Sequence, residues 1–154
     1  MPLTIRSAKL ADKDVIAGYN VAMAGETEAI RLDLDRVRRG VEAVLADPAK
    51  GFYTVAEADG RVIGQAMVTF EWSDWRNGVF WWLQSVYVDP AHRGRGVFRS
   101  IYEHLLERAR ADGGVCGIRL YVERENEPAQ AAYRRLGMEA TVYQMFEVDF
   151  VLER

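Results

Sequence analysis

The sequence predicts an α/β (α+β) fold in which a mixed, twisted sheet carries helices on both faces. Two observations lead to this class. Segments with strand-like and helix-like periodicity alternate along all 154 residues, without an internal repeat, linker or low-complexity tract. The segment 79–122 has the order strand, helix, strand, which requires two parallel strands joined by a right-handed crossover. We therefore expect one domain, residues 1–154.

The first half of the chain is expected to form a strand, two helices and two further strands. In order, these are Leu3–Ser7, Ala11–Ala24, Asp33–Ala46, Phe52–Ala58 and Val62–Trp72. Gly25 is expected to end the first helix, so that Glu26 and Glu28 lie in the connection between the helices. Asp59-Gly60 separates two alternating segments and predicts a tight hairpin.

The second half continues the alternation of strands and helices. Its expected elements are Val79–Val88, Arg95–Ala111, Val115–Val122, Pro128–Leu136 and Thr141–Leu152. The first of these is nearly continuous in apolar residues, as in a strand covered on both faces. The last is expected to be a closing strand region bent around Gln144, which brings the prediction to about seven strands and four helices.

Composition limits the class of protein. A net charge of −3, with 49% hydrophobic and 28% charged residues, gives no overall basic field for nucleic acid. No apolar run is long enough to span a membrane, and the first residues lack the apolar core of a signal peptide, so a cytoplasmic location is expected. Cys116 is the only cysteine and is expected to be a buried, inert thiol. No metal-ligand spacing is visible, and no metal site is expected.

The segment after Val79–Val88 carries the strongest functional signal. An apolar run stops at Asp89-Pro90, crosses a turn rich in glycine and arginine, and enters an amphipathic helix. Unpaired N–H groups and partial positive charge at a helix N-terminus suit a phosphate or pyrophosphate. The residues expected to bind such an anion are Arg93, Gly94, Arg95, Gly96, Val97, Phe98 and Arg99.

This segment resembles the signature of the GCN5-related N-acetyltransferases, Arg/Gln-x-x-Gly-x-Gly/Ala at a strand–loop–helix junction. Arg93 and Gly96 match it, whereas Phe98 stands where Gly or Ala is usual. The segment 126–138 is similar to the closing motif of the same family, with Asn126 at its start and Tyr133 at its helix tyrosine. Because the order of elements also agrees, the resemblance covers nearly the whole chain. It implies the acyl-CoA N-acyltransferase fold, with a splayed parallel strand pair at the centre.

The resemblance implies direct acetyl transfer from acetyl-CoA to a primary amine of a small molecule, in a ternary complex and without a metal. Tyr133 would then be the general acid for the leaving thiolate. A bulge is expected near Gln84–Val86, where a backbone N–H of Val86 or Tyr87 would polarise the thioester carbonyl. The implied cofactor contacts are the anion-binding residues above together with Val86, Tyr87, Val88, Asn126 and Tyr133. A homodimer is the state that the resemblance suggests.

The acceptor side is less defined. In motif wording the chain is nearest to the small-amine and polyamine branch, which has an acidic pair in the central strand where this chain has Gln84 and Ser85. Neither residue can act as a base or attract a polycation. Glu26 and Glu28 are therefore the candidates for the base. The expected acceptor-binding residues are Glu26, Glu28, Trp72, Trp75, Gln84 and Ser85, with Glu71, Asp74 and Glu123 as further acidic candidates.

The aromatic residues between positions 72 and 82 also have two interpretations. Phe80 and one tryptophan are expected in the core, and the others are left to line a cleft or an interface, since alternating side chains cannot all face one core.

Two other functions stay open beside the small-molecule enzyme. The first is a non-catalytic acetyl-CoA-binding sensor, which Phe98 and the absent acidic pair favour and Tyr133 opposes. The second is an acetyltransferase for a protein lysine or N-terminus.

Overall fold

A computed structural model describes residues 2–153. The chain forms two compact units, one ending at Tyr121 and the other beginning at Val122. The first unit contains the sheet and most of the helices. Its elements are β1 (Thr4–Ser7), α1 (Lys13–Glu28), α2 (Leu34–Ala46), β2 (Phe52–Ala58), β3 (Arg61–Ser73), β4 (Gly78–Val88), α3 (Val97–Ala111) and β5 (Val115–Leu120). The second unit contains α4 (Glu127–Arg135).

The strands follow the order β1-β2-β3-β4-β5 in a single sheet. The first four are antiparallel to their neighbours, and β4 and β5 are parallel, which confirms the crossover expected from residues 79–122. Asp59 and Gly60 have φ angles of 51° and 73°, the left-handed pair that a type I′ hairpin requires. The hairpin prediction is therefore also confirmed.

Helices cover both faces of the sheet. Gly64 pairs with Ala56, and a β-carbon at Gly64 would lie 2.8 Å from Val97 and 3.4 Å from Ile101, so α3 packs closely on that face. The neighbouring residue Val55 faces the other way, toward α1 and α2. The buried cluster on this second face consists of Ile16, Ala17, Val41, Tyr53 and Val55. This layered arrangement confirms the predicted fold class.

The end of α1 differs from the prediction. The helix does not stop at Gly25 but continues to Glu28, and Ala29 takes the left-handed position after it, with φ 53°. The backbone N–H of Ile30 donates to the carbonyl of Ala24, which closes the helix end. Glu26 and Glu28 therefore lie in the last turn of α1 and not in a loop.

The C-terminal prediction is wrong in the described residues. Residues 139–153 form neither strand nor helix, so the sheet has five strands instead of about seven. The alternating apolar pattern that suggested a strand belongs to exposed side chains, with Val142, Phe146 and Phe150 more than nine-tenths accessible. Alternation predicts a half-buried strand only where a second surface covers its apolar face.

The β4–β5 pair depends on close packing of one ring. Phe80 pairs with Gly117, and a β-carbon at Gly117 would lie 2.6 Å from the Phe80 ring. The Arg119 guanidinium lies 3.6 Å from the centre of the same ring and bonds Glu71 on β3. Phe80 is therefore held between its neighbour strand and a cation, a favourable arrangement for an aromatic ring.

Candidate functional site

A bulge interrupts β4 where the sequence predicts one. Gln65 pairs with Tyr87 and Met67 pairs with Gln84, so two residues of β4, Ser85 and Val86, lie opposite one residue of β3. Ser85 has a φ of 51°, a left-handed conformation that is uncommon outside glycine. The predicted bulge near Gln84–Val86 is thereby confirmed. A bulge re-aims the backbone groups that follow it, here those of Val86 and Tyr87.

One edge of β4 is open beyond the same point. The parallel ladder between β4 and β5 ends at the pair Leu83–Leu120, whereas β4 continues to Val88. In the described part of the chain, no strand pairs with the β5-facing edge of β4 after Leu83. Such an edge presents backbone donors and acceptors to an extended ligand, which can bind by adding as a strand.

The loop after β4 leads directly into α3. The Asp89 carboxylate accepts a hydrogen bond from the Ala91 backbone N–H at 2.9 Å and begins a short 3₁₀ turn. Gly94 and Gly96 have φ angles of 76° and 77°, and Gly96 is the residue that caps α3. Because glycine has no side chain to bond the first N–H groups of the helix, these donors are left for solvent or a ligand.

Three arginines surround this helix start in different ways. Arg93 donates to the Glu26 carboxylate and to the Val88 carbonyl oxygen, each at 2.9 Å, and its guanidinium lies 5.1 Å from the centre of the Tyr87 ring. Arg99 pairs with Glu103 one turn along α3. Arg95 is exposed and makes no ion pair or hydrogen bond within residues 2–153.

Glu26 joins α1 to this loop. Its carboxylate accepts from the Tyr87 hydroxyl and from Arg93, both at 2.9 Å. The hydrogen bond from Arg93, followed by that from Tyr87, lowers the pKa of Glu26 below its ordinary value. A carboxylate whose pKa is lowered is a weaker base. Glu28 lies two residues further on, exposed on the last turn of α1.

Phe98 is not among the buried residues of α3. The buried residues of α3 are Val97, Ile101, Tyr102, Leu105 and Ala109, which recur at the helical period along one face. Phe98 is half-buried, and its ring centre lies 6.2 Å from that of Tyr102. Its bulk therefore lies beside the start of the helix and outside the core.

The aromatic residues divide as predicted between core and surface. Phe80 and Trp81 are buried. The rings of Trp81 and Phe52 make an edge contact, and the Arg108 guanidinium lies over these two rings. Trp72 is 62% exposed and Trp75, in the β3–β4 turn, is 86% exposed. The structure does not bring these two tryptophans to the bulge.

Trp72 lies opposite Val79, seven residues before Val86 on β4, a strand distance of about 23 Å at 3.3 Å per residue. Gln84 is different, because it lies at the bulge itself. Its amide donates to the Thr69 hydroxyl at 2.5 Å, on the face of the sheet opposite Trp72. Of the expected acceptor-binding residues on the strands, only Gln84 and Ser85 thus lie near the open edge.

Further polar and aromatic side chains extend from Gln84 along that face. Arg119 bonds Glu71 at 2.6 Å, and the rings of Trp82 and Tyr121 lie 5.9 Å apart. Sequence reasoning missed Arg119 and Tyr121, because they follow no motif and reach this face only through the parallel register of β5. We call Thr69, Glu71, Trp82, Gln84, Arg119 and Tyr121 the polar–aromatic face.

Cys116, expected to be buried, is a half-buried free thiol on β5. None of the helices formed by residues 2–153 is long and apolar enough to cross a membrane.

The second unit contains both closing-motif residues. The Asn126 side-chain oxygen Oδ1 accepts from the Ala129 N–H at 3.2 Å and so caps α4, a use of the side chain that the sequence did not assign. Tyr133 lies in the middle of α4 and is half-buried, and this burial raises the pKa of its hydroxyl. A raised pKa keeps the phenol protonated at neutral pH, as a general acid must be.

A bulged central strand, an open parallel edge and a glycine-capped helix together define an acyl-CoA N-acyltransferase fold. The sequence matches the Acetyltransferase (GNAT) family over residues 18–138. This chain belongs to that family. The family resemblance stated from the motifs is confirmed, although the match does not identify the branch.

Curated relatives include a mycothiol acetyltransferase of Corynebacterium aurimucosum, 32% identical over 121 residues, which are 77% of this chain and 40% of that protein. A streptothricin acetyltransferase of Streptomyces lavendulae is 36% identical over 98 residues, 64% of this chain and 48% of that protein. The matched part thus spans less than half the length of either relative.

Solved structures agree on the fold. A possible acetyltransferase from Clostridium difficile 630 has a TM-score of 0.90 at 42% identity, covering 99% of this chain and 100% of that one. A predicted acetyltransferase with acetyl-CoA from Clostridium acetobutylicum has a TM-score of 0.76 at 18% identity, covering 97% of both chains.

Proposed function

We propose that this chain transfers an acetyl group from acetyl-CoA to a primary amine of a small molecule, directly and within a ternary complex. The observation that carries the proposal is the open edge of β4 between the bulge at Ser85 and the glycine-capped start of α3. Within one short segment the chain offers a strand edge for an extended arm, a re-aimed N–H for a carbonyl, and free helix donors for a phosphate.

On the donor side, the pantetheine arm of acetyl-CoA would pair with Val86, Tyr87 and Val88. The backbone N–H of Val86 would polarise the thioester carbonyl and stabilise the oxyanion as the amine attacks. The pyrophosphate would bind the first N–H groups of α3, with Arg95 as the cationic side chain not already engaged within the described residues. Tyr133 would protonate the leaving thiolate, since burial keeps its hydroxyl neutral.

On the acceptor side, the polar–aromatic face would bind the amine-bearing molecule. Gln84 is close to the bulge, and the Glu71–Arg119 pair offers one charge of each sign. Two relatives are named for mycothiol and for streptothricin, and a face with charged, amide and aromatic side chains can hydrogen-bond a polar small-molecule acceptor. Glu26 and Glu28 remain the proposed acidic groups near the amine, with Glu26 held by Arg93.

The test measures free CoA thiol released by the protein from acetyl-CoA over a panel of amines. The panel includes amino sugars, amino-sugar thiols, aminoglycoside-like amines, polyamines and lysine peptides. Tyr133→Phe should lower kcat by about 100-fold or more, the usual contribution of a general acid, while acetyl-CoA binding by calorimetry stays near wild type. Tyr143→Phe, an exposed tyrosine of the same unit, is the matched control.

Three outcomes separate the alternatives. Acetyl-CoA binding without transfer to any amine would favour a non-catalytic sensor, and transfer to lysine peptides alone would favour a protein acetyltransferase. Absence of acetyl-CoA binding would contradict the proposal altogether.

We also propose a homodimer. The support is the apolar segment 139–153, in which Phe146 and Phe150 are over nine-tenths exposed and Val148 is 79% exposed. Soluble proteins rarely leave such a series of apolar side chains in water. Sedimentation should therefore give a dimer, and Phe146→Glu with Phe150→Glu should shift it toward monomer, whereas Glu147→Gln should not. A monomeric wild type would contradict this part of the proposal.

A further inference from the structure

Four polar side chains from four different elements meet at the β4 bulge. The Gln65 amide nitrogen on β3 donates to the Asn20 side-chain oxygen on α1 at 2.8 Å and to the Ser85 carbonyl oxygen on β4 at 3.0 Å. The Asn20 amide nitrogen donates to the Tyr53 hydroxyl on β2 at 3.1 Å. The Ser85 side chain hydrogen-bonds the same Tyr53 oxygen. These contacts close a ring of four residues.

This ring lies in the interior of the first unit. Gln65 is fully buried, Tyr53 is 3% exposed and Asn20 is 8% exposed. Buried polar groups contribute little net stability, because each bond replaces one to water, and apolar side chains of similar size can do as well. The Gln65 side-chain oxygen even lacks a hydrogen-bond partner. General stabilisation of the core therefore explains this cluster poorly.

What the ring does specifically is hold one backbone conformation. Ser85 is in the left-handed region, which is unfavourable for a residue with a β-carbon. The ring contacts it at both of its polar ends, because Gln65 bonds its carbonyl oxygen and Tyr53 bonds its side chain. Strained residues persist only where their surroundings fix them.

We propose that Gln65, together with Asn20 and Tyr53, forms the positioning device that keeps Ser85 left-handed and so directs the Val86 N–H toward the bound thioester. None of the three touches the reacting atoms, so they act through Ser85 as positioning residues. This inference rests on the proposed function, because the ring of polar residues affects catalysis only if the Val86 N–H is the oxyanion donor. Small displacements of such a donor have large effects on rate.

The principal test is Gln65→Met, which keeps the length of the side chain and removes both donors. We expect kcat to fall by about 10- to 100-fold, with a much smaller change in the KM for acetyl-CoA. A ring with a merely structural role would lower thermal stability and leave the turnover of the folded protein unchanged. Thr54→Val is the matched control, since Thr54 is also fully buried on β2 but lies outside the ring. It should leave kcat unchanged.

The second test repeats Gln65→Met in a Ser85→Gly background. Glycine adopts a positive φ without a steric penalty, so the bulge then needs the ring less. We expect Gln65→Met to lower kcat by no more than about threefold there, against 10- to 100-fold in the native background. An equal loss in both backgrounds, or no loss in the native one, would overturn the inference. If Gln65→Met does not fold, Asn20→Ala is measured in the same two backgrounds with the same expectations.

A readout without turnover separates this inference from the proposed function. Amide hydrogen exchange at Ser85, Val86 and Tyr87 should be faster in Gln65→Met than in wild type and unchanged in Thr54→Val. If wild type transfers acetyl to no amine, the proposed function fails, and the exchange rates still decide whether the ring holds the bulge. Unchanged exchange in Gln65→Met overturns the inference whatever the activity.

Discussion

From Gly78 to Leu83, β4 is hydrogen-bonded on both edges, to β3 and to β5, and its side chains Phe80 and Trp81 are buried among rings and guanidinium groups. From Gln84 to Val88, β3 is its one partner strand among the described residues. This part contains the left-handed Ser85 and contacts the buried polar residues around Gln65 instead of an apolar core. The two halves belong to one continuous strand. We call them the inner half, residues 78–83, and the outer half, residues 84–88.

The difference shows which part of β4 lacks a partner strand on one edge within the described residues. A complete ladder with aromatic packing is a rigid support, and an interrupted ladder leaves backbone groups for a ligand. The outer half can present those groups only because the inner half fixes the direction of the strand. Stability and chemistry should therefore respond separately to substitutions in the two halves, and each prediction below tests that separation.

The largest expected effect is on stability, at Trp81 in the inner half. Trp81→Ala should lower the free energy of unfolding by about 3–5 kcal/mol, because it removes a buried ring that packs with Phe52 and Arg108. Trp75→Ala removes the same side chain from an exposed turn and should change it by no more than about 0.5 kcal/mol. Urea unfolding measures both. Similar losses for the two variants would remove the basis of the comparison.

Next in size is an effect on turnover, at Val86 in the outer half. Val86→Pro removes the proposed oxyanion donor and should lower kcat by about 100- to 1,000-fold. Val86→Ala retains the N–H and should stay within a few-fold of wild type. Calorimetry with acetyl-CoA shows whether the donor site still forms. A proline variant that binds acetyl-CoA and turns over normally would remove Val86 from the mechanism.

A smaller effect is expected on cofactor affinity, beyond the end of the outer half. Arg95→Ala should weaken acetyl-CoA binding by about 1–3 kcal/mol if its guanidinium meets the pyrophosphate. Arg110→Ala, at the opposite end of α3, should not change it. Calorimetry at two salt concentrations tests this, since the loss from Arg95 should shrink as salt rises. Equal affinities of the two variants would show that Arg95 is only solvated.

The smallest effect concerns the link between Glu26 and the outer half. Arg93 and Tyr87 lower the pKa of Glu26 in the folded protein, so its ionised form favours folding above its ordinary pKa. This contribution is lost as the pH falls through the lowered folded value. Because the pair is half-exposed, Glu26→Gln should cost no more than about 1 kcal/mol at pH 7. The cost should disappear in acid, as urea unfolding from pH 7 to 3 would show, and a constant cost would contradict the assignment.

Local chemistry explains what the sequence could predict. Three features each follow from a short segment with one physical requirement: the Asp59-Gly60 hairpin, the parallel crossover and the glycines before α3. The bulge at Ser85 is expected from the family resemblance, and the break in the apolar run at Gln84-Ser85 indicates its position. The sequence also predicts that Phe80 and one tryptophan are buried, and the structure identifies that tryptophan as Trp81. Such features need no knowledge of distant residues.

The remaining features depend on contacts across the chain. The ring around Gln65 joins positions 20, 53, 65 and 85, which are far apart in the sequence. Gln65 is an isolated polar residue in an apolar strand, and no sequence pattern indicates that it bonds Asn20 on α1. The extension of α1 to Glu28 overrides the glycine at position 25, since a helix end is set by its cap and contacts as well as by propensity. For residues 141–152, alternation alone could not say whether a partner strand exists.

The contact of Phe80 with Gly117 has a consequence for variation in this protein. Because the ring occupies the space that a β-carbon at position 117 would fill, the two positions share one volume. A side chain at position 117 would require the Phe80 ring to move or to be replaced by a smaller residue, and either change would disturb the surface on which the Arg119 guanidinium lies. The position of Glu71 on the polar–aromatic face would change with it. A glycine with no chemistry of its own thus helps to fix the arrangement of side chains on the polar–aromatic face, which is the face proposed to bind the acceptor.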